Sequence, residues 1–188
     1  PNSKPVDNAP VITVNPTEVK IVEGVSYDVM TGVNAIDDFD TLTVTADITE
    51  TNTLSTGDHT ITYTAKDRAG NKGVEVREVK VLSRNGDEDK DGYTNGEEVD
   101  NGSDPLDPNS KPVDREAPVI TLNGENPVVL LEGEEYKEAG AQATDNLDGD
   151  ITDKIVTDSD VNTQKAGDYE VTYTVEDRAG NKGIEVRD

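Results

Sequence analysis

Residues 60–73 read TITYTAKDRAGNKG, and residues 171–183 read VTYTVEDRAGNKG. In both stretches apolar side chains alternate with threonine, so an extended chain presents one apolar and one polar face. The predicted inward side chains are Ile61, Tyr63 and Ala65 in the first stretch, and Val171, Tyr173 and Val175 in the second. Each stretch is therefore predicted to be a half-buried strand of an antiparallel sheet.

The heptapeptide DRAGNKG that follows each strand predicts a hairpin turn. Its Ala-Gly-Asn centre suits a turn with positive φ at glycine and asparagine, at Gly70 and Asn71 and again at Gly180 and Asn181. The aspartates that open the two copies have two interpretations, as turn-stabilising side chains or as metal ligands.

Outward from these strands, the chain repeats itself. PNSKPVD occurs at 1–7 and at 108–114, and APVIT begins at Ala9 and at Ala117. We expect further copies in the parent protein and a shortened final strand in the second module. The predicted divisions are the tail of a preceding linker at 1–8, a first module at 9–83, a linker at 84–114 and a second module at 115–188.

The rest of each module also favours strands. In the first, short apolar runs begin at Val11, Val19, Leu42 and Gly73, separated by clusters of Gly, Asn, Asp and Pro. In the run from Gly73 the valines change parity near Arg77, which predicts a β-bulge or kink there. The expected fold class is all-β, with two sandwiches in tandem.

Composition narrows the function. The net charge of −24 disfavours nucleic acid and anionic membrane as partners and favours divalent cations. The chain has no Cys and a single His, so side chains for nucleophilic catalysis are scarce. It has no Trp, and its few aromatic residues lie mostly at strand positions, which disfavours a carbohydrate-binding surface. We expect no enzymatic activity, no catalytic residues and no organic cofactor.

The linker carries the strongest chemical motif. DEDKDG at 87–92, followed by five residues and Glu98, satisfies the twelve-residue calcium loop of EF-hands. Calcium takes six to eight hard oxygen ligands, and Gly92 permits the sharp turn that brings them together. The predicted ligands are the side chains of Asp87, Asp89 and Asp91, the carbonyl of Tyr93, Asn95 directly or through water, and a bidentate Glu98. The alternative is an acidic turn that binds no ion.

The flanks of this loop differ from an EF-hand. VKVLSRNG before it predicts a strand end rather than a helix, whereas Thr94 and Glu97 form a potential capping box for a short exiting helix that Gly102 ends. From 87 to 109 the segment resembles the bacterial thrombospondin type 3 repeat and the dockerin half-site. That resemblance makes Asp104 and Asp107 secondary metal candidates, with a proline-terminated turn as the alternative.

A second acidic stretch lies in the second module, where DNLDGD places Asp145, Asp148 and Asp150 close in sequence. Together with Asp177 from the hairpin, they are candidate calcium ligands. A bare acidic turn is the alternative, and the counterpart in the first module, at 37–40, is less complete.

The modules resemble the bacterial Ig-like repeats of the HYR and Cry22-type group, through APVITL, EGEEYKEAGAQATDNLDGDIT and AGDYEVTYTVEDRAGNKG. The resemblance implies immunoglobulin-like sandwiches on an extracellular bacterial surface or secreted protein, expected to be anchored in a Gram-positive cell wall. The leading hypothesis is a calcium-stiffened stalk of an adhesin or biofilm protein. Its partners would be calcium, neighbouring repeats and, through other domains, surface ligands. The alternatives are a spacer in a multidomain secreted hydrolase and a self-associating adhesive repeat.

Overall fold

The computed structural model describes residues 6–188. The chain forms two compact units, 1–112 and 113–188. The described part is dominated by strands, and the all-β fold class is confirmed. Among the described residues, no helix has the length and apolar character needed to cross a membrane.

The first unit contains two sheets. One pairs β1 with β3, and the other has the order β2-β6-β5-β4. Strands β2 and β6 are parallel, whereas the other neighbours are antiparallel. The strands are β1 (Val11–Val14), β2 (Glu18–Val22), β3 (Val33–Ile36), β4 (Val44–Ala46), β5 (Gly57–Lys66) and β6 (Lys72–Leu82).

The core of the first unit is supplied by both sheets, which makes the unit a sandwich. Ile12 and Val14 from β1 contact the side chains that β5 and β6 direct inward. Ile61, Tyr63 and Ala65 are fully buried, as the alternation of TITYTAK predicts. The buried Tyr63 hydroxyl also has a hydrogen-bond partner, since it donates to the carbonyl of Val29 at 2.6 Å.

Strand β6 does not contain the predicted bulge. It pairs with β5 in one unbroken register from Lys72 to Val81. Val74 and Val76 face solvent, and the inward position between them and the buried Val79 is taken by Arg77, whose side chain is 0% exposed. The predicted bulge was wrong because it assumed that Arg77 points outward, whereas this arginine lies on the core face.

Arg77 is tolerated in the core because every nitrogen of its guanidinium has an acceptor. Nε donates to the carbonyl of Pro16, Nη2 to that of Thr31 and Nη1 to that of Val29, at 2.9, 2.6 and 2.9 Å. The guanidinium carbon also lies 5.6 Å from the centre of the Tyr63 ring, within range of a cation–π interaction.

The second unit also has two sheets, but the two strands that flank its DRAGNKG turn are shorter than β5 and β6, and no described strand corresponds to β2. Its sheets have the orders β7-β8-β9 and β10-β11-β12, all antiparallel. Val171, Tyr173 and Val175 on β11 are buried, again as predicted. The strands are β7 (Val119–Leu122), β8 (Ala141–Asp145), β9 (Gly149–Asp150), β10 (Val156–Ser159), β11 (Val171–Glu176) and β12 (Lys182–Arg187).

Arg187 is the counterpart of Arg77 in the second unit, but its charge is balanced differently. Its Nη1 donates to Oε1 of Glu138 at 2.5 Å, and the Tyr173 hydroxyl donates to the same carboxylate oxygen. Burial would raise the pKa of Glu138, but hydrogen bonds from Tyr136 and Tyr173 and the Arg187 charge lower it below its usual value.

The two DRAGNKG turns confirm one half of their prediction. Gly70 and Gly180 have φ of 96° and 92°, in the left-handed region that glycine tolerates. Asn71 and Asn181 keep negative φ, so positive φ at asparagine was wrong. Their side-chain amides instead donate to the aspartate that opens each turn, at 2.7 Å for Asp67 and 2.9 Å for Asp177.

Candidate metal centre

The loop at 87–98 follows β6 directly, and its own aspartates shape its backbone. Lys90 and Gly92 have φ of 64° and 98°, which turn the chain sharply. The two oxygens of Asp87 accept from the backbone N–H groups of these residues, at 2.7 Å and 3.2 Å. The aspartates therefore fold the loop as well as supplying charge.

The far side of the loop is closed by helix α1 (Asn95–Asn101). Thr94 caps its start, since the Thr94 hydroxyl accepts from the Glu97 N–H and the Glu97 carboxylate accepts from the Thr94 N–H. Gly102 ends the helix with φ of 76°. The capping box and the glycine stop are both confirmed, and together they fix where Glu98 enters the site.

Three aspartates of the loop lie close together, and several buried carboxylate oxygens of the loop lack a hydrogen-bond donor among the described residues. Oxygens of Asp87, Asp89 and Asp91 lie within 4.8 Å of one another. Glu98 is 0% exposed, and neither of its oxygens receives a hydrogen bond from any described residue. Oδ2 of Asp89 and Oδ2 of Asp91 are also buried without a hydrogen-bond donor within residues 6–188, and the Lys111 ammonium lies 3.8 Å from Oδ2 of Asp91. Buried anions without donors are costly, so the arrangement calls for a cation.

The pKa values of two carboxyl groups in the loop are raised. Burial, together with the charges of Asp89, Asp91, Asp87 and Asp104, raises the pKa of Glu98 to about 7. Burial also raises the pKa of Asp89, with the charges of Asp91 and Asp87 adding to the effect. At neutral pH the metal-free loop is therefore poised between holding a proton and holding a cation.

Asn95 makes structural contacts in addition to its predicted role as a direct or water-mediated ligand. Its side-chain nitrogen donates to the Ser83 carbonyl at 2.8 Å, and its side-chain oxygen accepts from the Glu88 N–H at 3.1 Å. The Asn95 N–H donates to the Gly86 carbonyl at 2.7 Å. The side chain thus ties the start of the helix to the end of the first module, which sequence spacing does not reveal.

Ion pairs connect the loop to the same unit. Lys20 on β2 reaches the Glu88 carboxylate at 2.8 Å, and Lys80 on β6 lies 3.8 Å from it. Lys111 donates to the Asp91 carbonyl at 2.7 Å, and its ammonium lies 5.8 Å from the centre of the buried Tyr93 ring. The loop is therefore a docked part of the first unit, within the boundary at residue 112.

The two secondary candidates after the helix differ from each other. Asp104 contributes its charge to the raised pKa of Glu98, while one of its oxygens accepts from the Leu106 N–H at 3.0 Å. Asp107 accepts from the backbone and side-chain nitrogens of Asn109, both at 3.0 Å, and these bonds lower its pKa. Asp104 lies in the electrostatic reach of the loop, whereas Asp107 stabilises a turn.

In the second unit the structure separates the predicted acidic ligands. Asp148 pairs with the Arg178 guanidinium at 2.5 Å and lies 3.4 Å from the Lys154 ammonium. Asp150 accepts from the Thr152 N–H at 3.0 Å. The carboxylates of Asp148 and Asp150 thus have donors of their own and do not join Asp145.

Asp145 instead meets two aspartates that are distant in sequence. Its oxygens lie within 4.8 Å of oxygens of Asp114 and Asp177. An equivalent cluster in the first unit contains Asp7, Asp37 and Asp38. Asp114 was not among the predicted ligands, although the repeated heptapeptide ends on this residue and on Asp7, which was the available signal.

The donor set of the loop fits a hard divalent cation. It consists of carboxylate oxygens at alternating positions, with a glutamate that has both oxygens available, which is the chemistry that calcium prefers. The backbone oxygen of Tyr93 remains a predicted ligand. The acidic clusters of the sandwiches offer fewer free oxygens, since hydrogen bonds within their turns already occupy several of them.

Two protein-family models match parts of the chain. Residues 120–188 match the family described as "Bacterial surface protein, Ig-like domain", and residues 87–108 match the bacterial TSP3 repeat. These matches support a surface or extracellular module of the general Ig-like and TSP3 type. No curated protein is significantly similar to the chain.

Solved structures give weaker likenesses. The lipoprotein BT2262 from Bacteroides thetaiotaomicron is 24% identical over 37% of this chain and 35% of that one, with a TM-score of 0.33. Extracellular cadherin domains 1–4 of protocadherin gamma B7 are 13% identical over 96% of this chain and 50% of that one, with a TM-score of 0.34. The M60 catalytic domain with two CBM51 domains from Clostridium perfringens ZmpB is 15% identical over 95% of this chain and 30% of that one, with a TM-score of 0.33. The chain thus spans half or less of the length of these structures.

Proposed function

We propose that this protein is a non-catalytic, calcium-braced segment of the stalk of a large bacterial surface protein. Within the Ig-like type, we assign its modules to the HYR and Cry22-type group. The parent protein in this proposal is an adhesin or biofilm-associated protein anchored in a Gram-positive cell wall. Its other domains contact host or bacterial ligands.

One observation carries the proposal more than any other. Glu98 is 0% exposed, neither of its carboxylate oxygens receives a hydrogen bond from any described group, and burial together with the charges of Asp89 and Asp91 raises its pKa. A divalent ion would neutralise this charge and bind the buried oxygens of Glu98, Asp89 and Asp91 that receive no hydrogen bond from a described residue. The match of residues 87–108 to a bacterial TSP3 repeat supports the same assignment.

The proposed effect of the ion is mechanical. Calcium would hold the loop and helix α1 against β2 and the chain that follows β6, where Glu88 already contacts Lys20 and Asn95 already contacts Ser83. Residues 84–112 would then be part of a folded unit rather than a self-repelling acidic connector. The stretch of chain left free to move between modules becomes short, which is the property a projecting stalk needs.

A calcium titration tests the site. The intact chain, stripped of metal with a chelator, is titrated by isothermal calorimetry at neutral pH. We expect saturable binding, with a Kd of about 10⁻⁴ to 10⁻³ M if the loop behaves as an extracellular module. Absence of saturable binding at ten millimolar calcium would reject the metal site.

Small-angle scattering tests the mechanical role separately. We expect the distribution of distances within the intact chain to narrow when calcium replaces chelator. A Glu98→Gln variant should show no such response. If the chain binds calcium but its maximum dimension and the spread of distances stay unchanged, the metal site is supported and the bracing role is rejected.

Sedimentation separates this proposal from a self-associating repeat. The stalk proposal expects the chain to remain monomeric with and without calcium. A calcium-dependent dimer would favour the adhesive alternative.

A further inference from the structure

A small area of the first sandwich lies on the outer face of its larger sheet. Strands β2 and β6 are parallel neighbours, and Ile21 and Val81 belong to the apolar core. Successive side chains of a strand point to opposite faces, so the residues on either side of these two point outward. The β2–β6 patch consists of four such outward residues, which lie opposite each other in pairs: Lys20 with Lys80, and Val22 with Leu82.

The outer face of β6 changes from exposed to buried along its length. Val74 and Val76 are 50% and 39% exposed. Leu82 lies on the same face but is only 5% exposed, and Val22 opposite it is 3% exposed. Among the described residues, the core cluster of this sandwich includes neither Val22 nor Leu82. Another part of the chain therefore covers this end of the sheet.

The linker that follows β6 provides the cover. A cleft of about 220 Å³ is lined by the two apolar residues of the patch together with Val99 and 104–106 of the linker. Helix α1 lies against β2. The two lysines of the patch face the Glu88 carboxylate, at 2.8 Å for Lys20 and 3.8 Å for Lys80. The patch and the linker thus match in both apolar surface and charge.

The linker residues that meet the patch lie next to those of the calcium loop. Val99 directly follows Glu98, the predicted bidentate ligand, on helix α1. Consecutive residues of a helix point about 100° apart, so the same turn presents Glu98 to the loop and Val99 to the sheet. Asp104 also lines the cleft, and its charge reaches Glu98. The loop and the patch are therefore two sides of one short element.

Given the proposed calcium site, on which this inference rests, we propose that the β2–β6 patch couples calcium binding to the stability of the preceding sandwich. When the loop is fixed by a bound ion, Val99 and 104–106 are fixed over Val22 and Leu82. Separation of β2 from β6 then requires the linker to leave the patch and the ion to be released, so calcium stabilises the sandwich itself. The coupled folding unit is the sandwich together with the linker that follows it.

Hydrogen exchange of the intact chain, in chelator and in about 10 mM calcium, tests the coupling. With a Kd of about 10⁻⁴ to 10⁻³ M, calcium should slow exchange of the amides of β2 and 78–82 by about 10- to 100-fold. Glu98→Gln, which removes a predicted ligand, should abolish this slowing. Calorimetry on the same samples measures whether calcium is bound.

A double variant, Val99→Ser with Leu106→Ser, removes the apolar cover and keeps every predicted ligand. Both residues lie outside the strands, so the sandwich keeps its own core. The matched control is Val76→Ser, which removes an apolar side chain from the exposed part of the same sheet face. In the double variant, calcium should still bind but should change exchange of β2 and 78–82 by less than about twofold, whereas the control should keep the full effect.

The outcomes separate the coupling from the calcium site. Loss of calcium-dependent protection in the double variant, with retention in Val76→Ser, supports the proposal. Equal protection of β2 in these two variants overturns coupling through the patch. Calcium binding with protection confined to 87–101 in the unchanged chain also overturns the coupling but leaves the calcium site in place. Absence of saturable binding rejects the calcium site and the coupling together.

Discussion

The loop at 87–98 and the turn at 145–150 are both dense in aspartate, yet they differ in how many buried carboxylate oxygens lack a hydrogen bond from a described residue: four in the loop, but only Oδ2 of Asp145 in the turn. In the turn, Asp148 is held by Arg178 and Lys154, and Asp150 accepts from Thr152. In the loop, both oxygens of Glu98 are buried without a donor from any part of the chain that the structure describes.

The difference teaches that acidic density alone does not define a cation site. What separates the two regions is the number of buried oxygens left without a partner, because a partnered carboxylate gains little from a metal. Burial would raise the pKa of Asp148, but hydrogen bonds and charge from Arg178 lower it. Burial and neighbouring carboxylates raise the pKa of Glu98.

The largest expected effect comes from Glu98→Gln. Loss of an outer-shell group typically weakens metal binding 10- to 100-fold, and Glu98 is the predicted bidentate ligand, so we expect a loss of about 100-fold or more, about 2.7 kcal/mol. Calorimetric titration of the intact chain measures it. The matched control, Asp153→Asn, removes an exposed charge from the second unit and should leave affinity within twofold. Equal affinities for the two variants would place the ion elsewhere.

Asp148→Asn tests the other side of the comparison. Its side chain is 3% exposed and paired with Arg178 at 2.5 Å, so removing the charge should destabilise the second unit by about 1–3 kcal/mol. Thermal unfolding measures this loss. Calcium affinity should stay within about twofold, and a tenfold weaker affinity would mean that Asp148 is a metal ligand after all.

Acidification should weaken calcium binding through Glu98. Its pKa of about 7 exceeds the ordinary 4.5, so the metal-free fold takes up a proton and gains stability as pH falls from 7 to 4.5. Calcium must displace that proton, and affinity should fall about tenfold between pH 8 and pH 6. Titrations in two buffers of different ionisation enthalpy should show proton release near pH 7. An affinity that does not change over this range would contradict the raised pKa.

The smallest expected effect is that of Lys20→Met. The pair with Glu88 is 2.8 Å long, but the lysine side chain is 37% exposed, so solvent screens it. We expect a loss of about 0.2–1 kcal/mol in the stability of the first unit, reduced further at high salt. Chemical denaturation measures it. A loss well beyond the range that exposed ion pairs contribute would show that docking of the loop depends on this one pair.

The sequence predicted correctly the features that depend on residues close together in the chain, such as a strand, a helix start and a loop turn. The alternation around Tyr63 placed its strand correctly, because side chains of a strand alternate between faces. Thr94 and Glu97 predicted the helix start, and Gly92 predicted the loop turn, since each acts within a few residues.

Contacts between distant segments could not be predicted in the same way. The inward position of Arg77 depends on the carbonyls of Pro16, Val29 and Thr31, which belong to a much earlier part of the chain. The meeting of Asp114 with Asp145 and Asp177 likewise depends on how the sheets fold back on themselves. Sequence proximity favoured Asp148 as a ligand, but the DRAGNKG arginine that follows Asp177 is its actual partner.

The heptapeptide PNSKPVD carries two contacts three residues apart. Lys111 is fastened to the loop that precedes it, through the Asp91 carbonyl, and Asp114 belongs to the acidic cluster of the module that follows. Since the same seven residues stand at 1–7 and 108–114, a genetic crossover inside them would join any such loop to any such module with both contacts preserved. Unequal recombination between two such gene segments would add or remove one loop together with one module without creating a new junction sequence.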